Sequence, residues 1–236
     1  MPRSPNIAPN RHALHPFDLK YGTDTGGYVR PDDLHSGQEH DSMNNGYSAV
    51  APSVFREACR RWRETLPPSG RVEAYTFVDV GAGKGRALLL AAELPFRKVI
   101  GVELNEGLAC IAQRNITRWT RVTRRRGKIR ILHQDAARFR WLRTPLLVYL
   151  NNPFDCTLVE HMVAKLAAVA ALSSRPVDVI YVNPGCADTL PARGFFKLLW
   201  NEQIQMDDAD RQADPYGAAS DRVAAFRCCA RRLELP

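Results

Sequence analysis

Lysine, paired cysteines and long apolar runs are what this sequence is short of. Six of its 33 basic residues are lysine and the rest are arginine. None of the six cysteines (Cys59, Cys110, Cys156, Cys186, Cys228, Cys229) forms a C-x-x-C pair, and no Cys/His cluster has metal-ligand spacing. That excludes a zinc finger or a thioredoxin-like motif, so reduced packing thiols and no metal are expected. No apolar run approaches the ~20 residues that cross a bilayer. The start, MPRSPNIAPNRHALHPF, is proline-rich and lacks the apolar block of a secretion signal. The expectation is a cytoplasmic chain with no membrane partner.

What is present is a globular composition, 45% hydrophobic and 25% charged, with a net charge of +8. Such a balance favours acidic partners, nucleic acid among them. The 236 residues suffice for one sizeable core and an accessory segment. Residues 1–46 are poor in apolar side chains, and the stretch RPDDLHSGQEHDSMNNG (30–46) is expected to form a mobile arm or lid. Val50, Val54, Phe55, Ala58, Trp62 and Leu66 recur at helical spacing, which predicts a helix over 52–66 that PPSG (67–70) ends. This divides the chain into an N-terminal arm and helix, 1–70, and a main domain, 71–236.

From residue 76 the pattern alternates. Strands are predicted at 76–80, 98–104, 128–135, 145–150 and 177–183, with helices at 86–94, 106–119 and 157–172 between them. Strands alternating with helices imply a doubly wound α/β fold with a mostly parallel sheet. FFKLLW (195–200) and VAAFRCCA (223–230), with an irregular acidic loop between them, read as an antiparallel pair that finishes the sheet.

The stretch FVDVGAGKGR (77–86) puts Gly81, Gly83 and Gly85 on the turn from a strand into a helix, where bare backbone N–H groups meet a ligand. It is not a dinucleotide fingerprint, because Arg86 stands where a small residue belongs, and not a P-loop, because Gly85 follows Lys84. Glu103 ends the second strand, where a carboxylate accepts both hydroxyls of a ribose. Asp135 ends the third, near the place of an adenine amino group. Asp79 precedes the first glycine and suits a positive ammonium or sulfonium. Each motif alone is also compatible with tight packing or helix capping.

VDVGAGKGR, GVELN, HQDA and LNNPF, in this order, resemble the motifs of class I, Rossmann-like, S-adenosylmethionine-dependent methyltransferases over about residues 75–230. Together with Tyr47 and the following Pro52-Ser53, they are most similar to the bacterial and mitochondrial relatives of the Rossmann-type histone lysine methyltransferases. The resemblance implies a seven-stranded sheet with its last strand antiparallel and S-adenosyl-L-methionine (SAM) as cofactor. It carries cofactor contacts to Tyr47, Asp79, Gly81, Ala82, Gly83, Gly85, Glu103, Leu104, Asp135, Ala136 and Asn151. It carries the acceptor end to Asn151, Asn152 and Phe154. LNNPF is similar to the N-P-P-[YF] signature of amino-directed methyltransferases but lacks its second proline. It is also similar to an Asn-Asn-aromatic signature of the lysine enzymes. A protein side chain, lysine first, is therefore the expected methyl acceptor, with an RNA or DNA base or a small molecule as the alternative. A non-catalytic nucleoside-binding module is the alternative of another class.

Asp155 and Tyr21 are the candidate general bases for a lysine acceptor, and Tyr21, Thr23, Asp24 and Thr25 are candidates to fold over the cofactor's amino-acid end, with a solvated loop as the alternative. The arginine-rich stretches 118–130 and 138–143 read either as a solvated face or as a phosphate-binding surface.

Overall fold

The computed structural model describes residues 15–34, 36–37, 39–125, 128–192 and 194–229. The chain opens with helix α1 (Pro16–Tyr21), two short strands that pair with each other, β1 (Tyr28–Val29) and β2 (Tyr47–Ser48), and helix α2 (Pro52–Glu64). Proline at its first turn and apolar residues at three- and four-residue steps make α2 amphipathic. Val54, Phe55, Ala58, Cys59 and Trp62 are buried, while the outer face carries Glu57–Arg60 and Glu57–Arg61 pairs. Exposed pairs of this kind contribute little, so the apolar face is what holds the helix to the domain.

There follow β3 (Thr76–Val80), α3 (Arg86–Glu93), β4 (Lys98–Glu103), α4 (Glu106–Thr123), β5 (Ile129–His133), β6 (Leu146–Asn151), α5 (Cys156–Ser173) and β7 (Val177–Val182). A short α6 (Thr189–Ala192), β8 (Phe196–Gln205), α7 (Asp208–Ala213) and β9 (Ser220–Cys228) complete the chain. The seven strands β3–β9 form one sheet in the order β5-β4-β3-β6-β7-β9-β8. The first five are mutually parallel, and β9 lies antiparallel between β7 and β8. The doubly wound α/β architecture with a closing antiparallel strand is thus as expected.

Alternation along the strands divides the core into two layers. Phe77, Leu147, Tyr149 and Ile180 pack against α2 and α3 on one face. Val78, Val80, Val148, Leu150 and Tyr181 pack against α5 on the other. Helix α5 is long and apolar enough to cross a membrane by length and composition. Its Leu158, Val159, Met162, Val163 and Leu166 are spent on the sheet.

Three expectations need correction. First, residues 15–25, at the start of the expected arm, are packed against the domain. Phe17 and Tyr21 are buried, His15 meets Asp210 at 2.6 Å, and Asp18 accepts from Thr23, Thr25 and Arg86. Hydrogen bonds and two aromatics hold what apolar content alone does not reveal; residues 1–14, 35 and 38 lie outside the described residues. Second, the region after residue 200 is not one irregular loop. β8 continues to Gln205, and Asp207 caps α7 by accepting from Asp210 N. Third, Cys156 and Cys186 are joined in a disulfide with Cα atoms 5.4 Å apart, while Cys59, Cys110, Cys228 and Cys229 are in none. Spacing does not predict the pair, because parallel β6 and β7 bring residues 30 apart in sequence to the same end of the sheet.

Candidate functional site

The parallel strands all end on one edge of the sheet, and a cavity opens there between β3, β4 and β6, the usual place for ligands in such folds. The turn after β3 folds back onto β4, with Gly81 N and Ala82 N donating to the Val102 carbonyl. Two positions on this turn have no room for a side chain. A Cβ on Gly81 would lie 2.5 Å from Pro153 Cβ, and one on Gly83 would lie 2.1 Å from the Tyr47 ring. Both glycines have positive φ, +75° and +53°. Tyr47 is itself held by donating its hydroxyl to the Thr25 carbonyl at 2.7 Å.

Arg86, the residue that rules out a dinucleotide fingerprint, is buried at the cavity wall. It donates to Thr25 Oγ1 at 2.7 Å and to Asp18 Oδ2 at 3.1 Å. Lys84 donates to Asp24 and to the Gly26 carbonyl. Thr23, Asp24 and Thr25 therefore anchor the wall from behind and do not line the cavity.

Two carboxylates face the cavity beside the glycine turn. Glu103 accepts from Gly83 N at 2.7 Å and from Asn105 N at 2.8 Å, so the end of β4 is locked to the glycine turn. Burial raises its pKa, against these donors. Burial, with repulsion from Glu103, pushes the Asp79 carboxyl up to about 8. Asp135 lies further along the rim: its Oδ1 accepts from Ala137 N, and its Oδ2 is 2.7 Å from His40 Nδ1. An adenine amino group at Asp135 would therefore compete with His40. Tyr149 lines the same cavity, and its buried hydroxyl has no hydrogen-bond partner among the described residues. Within the apolar run LVYL this residue reads as core, and only the strand pairing shows where it points. Two buried acids and an unpartnered hydroxyl suit a cationic ligand that brings its own donors.

At the opposite end the chain leaves β6 through Asn151, Asn152, Pro153 and Phe154. Asn151 lines the cavity and donates to the Ser48 carbonyl at 3.0 Å. Asn152 adopts φ +42°, a conformation asparagine tolerates better than most residues. That turns its side chain away from the cavity, toward Tyr181 Oη (3.5 Å) and Gly185, so the expectation of a side-chain contact there is corrected. Its backbone stays at the site: the Asn152 carbonyl accepts from Asn45 Nδ2 at 2.9 Å and the Pro153 carbonyl from Asn45 N at 3.0 Å. Phe154 lines the cavity, bridged to Asn44 and buried.

Of the sequence-derived residues, Tyr47, Asp79, Gly81, Ala82, Gly83, Glu103, Leu104, Asp135, Ala136, Asn151 and Phe154 converge on this one cavity. Gly85 does not; it caps α3, where a Cβ would press on Ala112 at 3.2 Å. Neither candidate base is there. Tyr21 donates to Glu93, and Asp155 caps α5 by accepting from Leu158 N. His40, Asn45, Arg86, Tyr149 and Pro153 line the cavity without having been singled out for it.

No protein-family model and no curated protein matches this sequence. Solved structures do. A proposed RNA methyltransferase from Pyrococcus horikoshii superposes with a TM-score of 0.50 at 17% identity, over 74% of this chain and 82% of that one. The chain has the Rossmann-like methyltransferase fold. A proposed methyltransferase from Escherichia coli gives 0.49 at 15% identity, over 78% and 93% of the two chains. A magnesium protoporphyrin IX methyltransferase from Synechocystis, with SAM bound, gives 0.46 at 14% identity, over 75% and 76%. At these identities the likeness is one of fold.

Proposed function

We propose that this protein is a SAM-dependent methyltransferase acting on an amino nitrogen. The observation that carries the reading is one cavity lined at one end by a cation-seeking pair, Asp79 with Glu103, and at the other by Asn151, Pro153, Phe154 and Asn45, whose amide groups donate to the Asn152 and Pro153 carbonyls at its edge. Asp79 would neutralise the ammonium or sulfonium, Glu103 would accept the ribose hydroxyls, and Asp135 would flank the adenine. When bound, SAM supplies an electrophilic methyl group.

This chain's own part is to orient the acceptor and exclude water. Asn45 already donates an amide N–H to the Asn152 carbonyl, so an acceptor amino group can replace that bond in kind. Residues 44–48 line the cavity from the β2 side.

A lysine ammonium must lose a proton before it attacks. Both candidate bases lie away from the cavity, so the lysine acceptor expected from the motif is the weaker reading. The exocyclic amino group of a nucleobase is neutral and needs no prior deprotonation, which favours the alternative.

Calorimetry against SAM and NAD tests the cofactor: SAM should bind, Glu103→Ala should abolish binding, and tight NAD binding would overturn the assignment. Transfer of radiolabelled methyl into cell lysate should then disappear after nuclease treatment and survive protease.

A further inference from the structure

Between residues 107 and 154 the sequence holds eleven basic residues and one acid, Asp135. That segment is net +10 in a chain of net +8, so the remainder is slightly acidic. The fold gathers the segment at one place. It forms most of α4, the edge strand β5 and the short connection into β6, and thus wraps the β5 edge of the sheet from both faces.

Arg114, Arg118 and Arg121 stand at four- and three-residue steps on the exposed side of α4, and Arg130, Arg140 and Arg143 are exposed on β5 and the connection. Among the described residues none of these six meets a carboxylate, although Arg138 on the same edge pairs with Glu39 and Asp135, and Arg63, Arg71, Arg97, Arg175 and Arg222 elsewhere are also without one. An arginine-rich composition explains the number of arginines. It does not explain why the positive charge gathers on one edge while the remainder of the chain is slightly acidic.

We propose that the β5 edge docks the phosphate backbone of a nucleic acid. A protein interface needs an apolar centre, and a face that inserts into a membrane needs apolar groups. Val122 is the single exposed large apolar residue of this segment. Unpaired arginines without an apolar centre are what phosphate contact requires. The edge also runs into the cavity. Asp135 lies two residues beyond β5 on the cavity wall, and the exposed Arg138 stands beside it, 3.9 Å from its carboxylate. This deepens the preceding reading, on which it rests, by giving the amino acceptor its carrier.

The experiment is fluorescence anisotropy with single-stranded RNA and single-stranded DNA of about 20 nucleotides, titrated at about 50 and 200 mM salt. R114E/R118E/R121E and R130E/R140E/R143E are compared with the unaltered chain, and SAM calorimetry is run on all three. Binding should weaken steeply with salt. Each triple variant should lose at least about tenfold in affinity and, at about 0.7 per phosphate, flatten the log–log slope by about 2, while SAM binding stays unchanged. Preference for RNA or for DNA identifies the carrier. Absence of binding at low salt, equal affinity in the triple variants, or stronger binding to phosphatidylserine vesicles or polyglutamate would overturn the proposal. The two readings fail separately: no SAM heat with arginine-dependent RNA binding removes the methyl-transfer reading alone, and SAM heat without nucleic-acid binding removes the docking edge alone.

Discussion

Tyr149 lies directly opposite Asp79 in the parallel pairing of β6 and β3, and both side chains face the same cavity. An unsatisfied buried hydroxyl costs about 1–3 kcal/mol, so Tyr149→Phe should stabilise the ligand-free protein by about 1 kcal/mol. The same oxygen is placed to accept from an ammonium beside Asp79. Losing it should weaken SAM binding about tenfold, the equivalent of one hydrogen bond of about 1.4 kcal/mol. Thermal melts with and without SAM read both effects. A variant that loses stability and keeps its SAM affinity would show that Tyr149 is packing alone.

The Asp79 carboxyl, held up to about 8 against an ordinary value of 3.8, predicts a pH dependence with a definite sign. The unfolded chain ionises this group near 3.8, whereas the ligand-free fold keeps its proton to about 8, so its contribution to stability falls as pH rises between those values. Asp79→Asn should remove that slope. Binding of a cation beside Asp79 requires the carboxylate, and below pH 8 the proton must leave. SAM affinity should therefore rise by up to about tenfold per pH unit toward 8 and level off above it. Calorimetry in two buffers of different ionisation enthalpy should register proton release near pH 7.

How far the site was legible depends on what kind of signal each residue carries. Gly81, Gly83 and Glu103 are readable because the turn after a buried strand and the acid at the end of the next strand obey fixed offsets. The mostly parallel sheet follows from the same alternation; the order of its strands does not. His40 and Asn45 were not readable. They come from a segment with too few apolar residues to show a period, and its fixed points are hydrogen bonds to Asp135 and Asn152, about a hundred residues away. Asn152 is legible in its place in the chain and not in its side-chain direction, because its positive φ decides the direction and no pattern of residue types encodes that. Tyr149 was hidden for a third reason: within an unbroken apolar strand, only the register against Asp79 separates a core tyrosine from a cavity one.

Gly83→Ala tests whether the turn is shaped by what lies over it. The added methyl would meet Tyr47 Cε2 at 2.1 Å, and φ +53° would itself cost about 1–2 kcal/mol for alanine. We expect a loss of about 2–4 kcal/mol in denaturant unfolding and loss of SAM binding, because the Gly83 N–H to Glu103 is displaced as well. Combining it with Tyr47→Ala should recover the steric share and leave the backbone share. Full recovery in the double variant would mean that the left-handed backbone imposes no cost.

The Cys156–Cys186 bond joins the first residue of α5 to the loop after β7, beside the acceptor end, and neither cysteine lines the cavity. Its effect should therefore fall on stability before it falls on cofactor binding. Closing a loop of 30 residues stabilises by about 3–4 kcal/mol in the chain-entropy account. Cys186→Ser, or reduction, should lower the midpoint of denaturant unfolding by a corresponding amount while SAM affinity stays within about twofold, a free-energy change near 0.4 kcal/mol. Alkylation of unfolded, non-reduced protein followed by peptide mass spectrometry reads the bond directly. Cys59, Cys110, Cys228 and Cys229 should take the label, and the peptides carrying Cys156 and Cys186 should appear cross-linked until reductant is added. Free alkylation of all six would show the pair reduced in the isolated protein, and the stability difference should then be absent too.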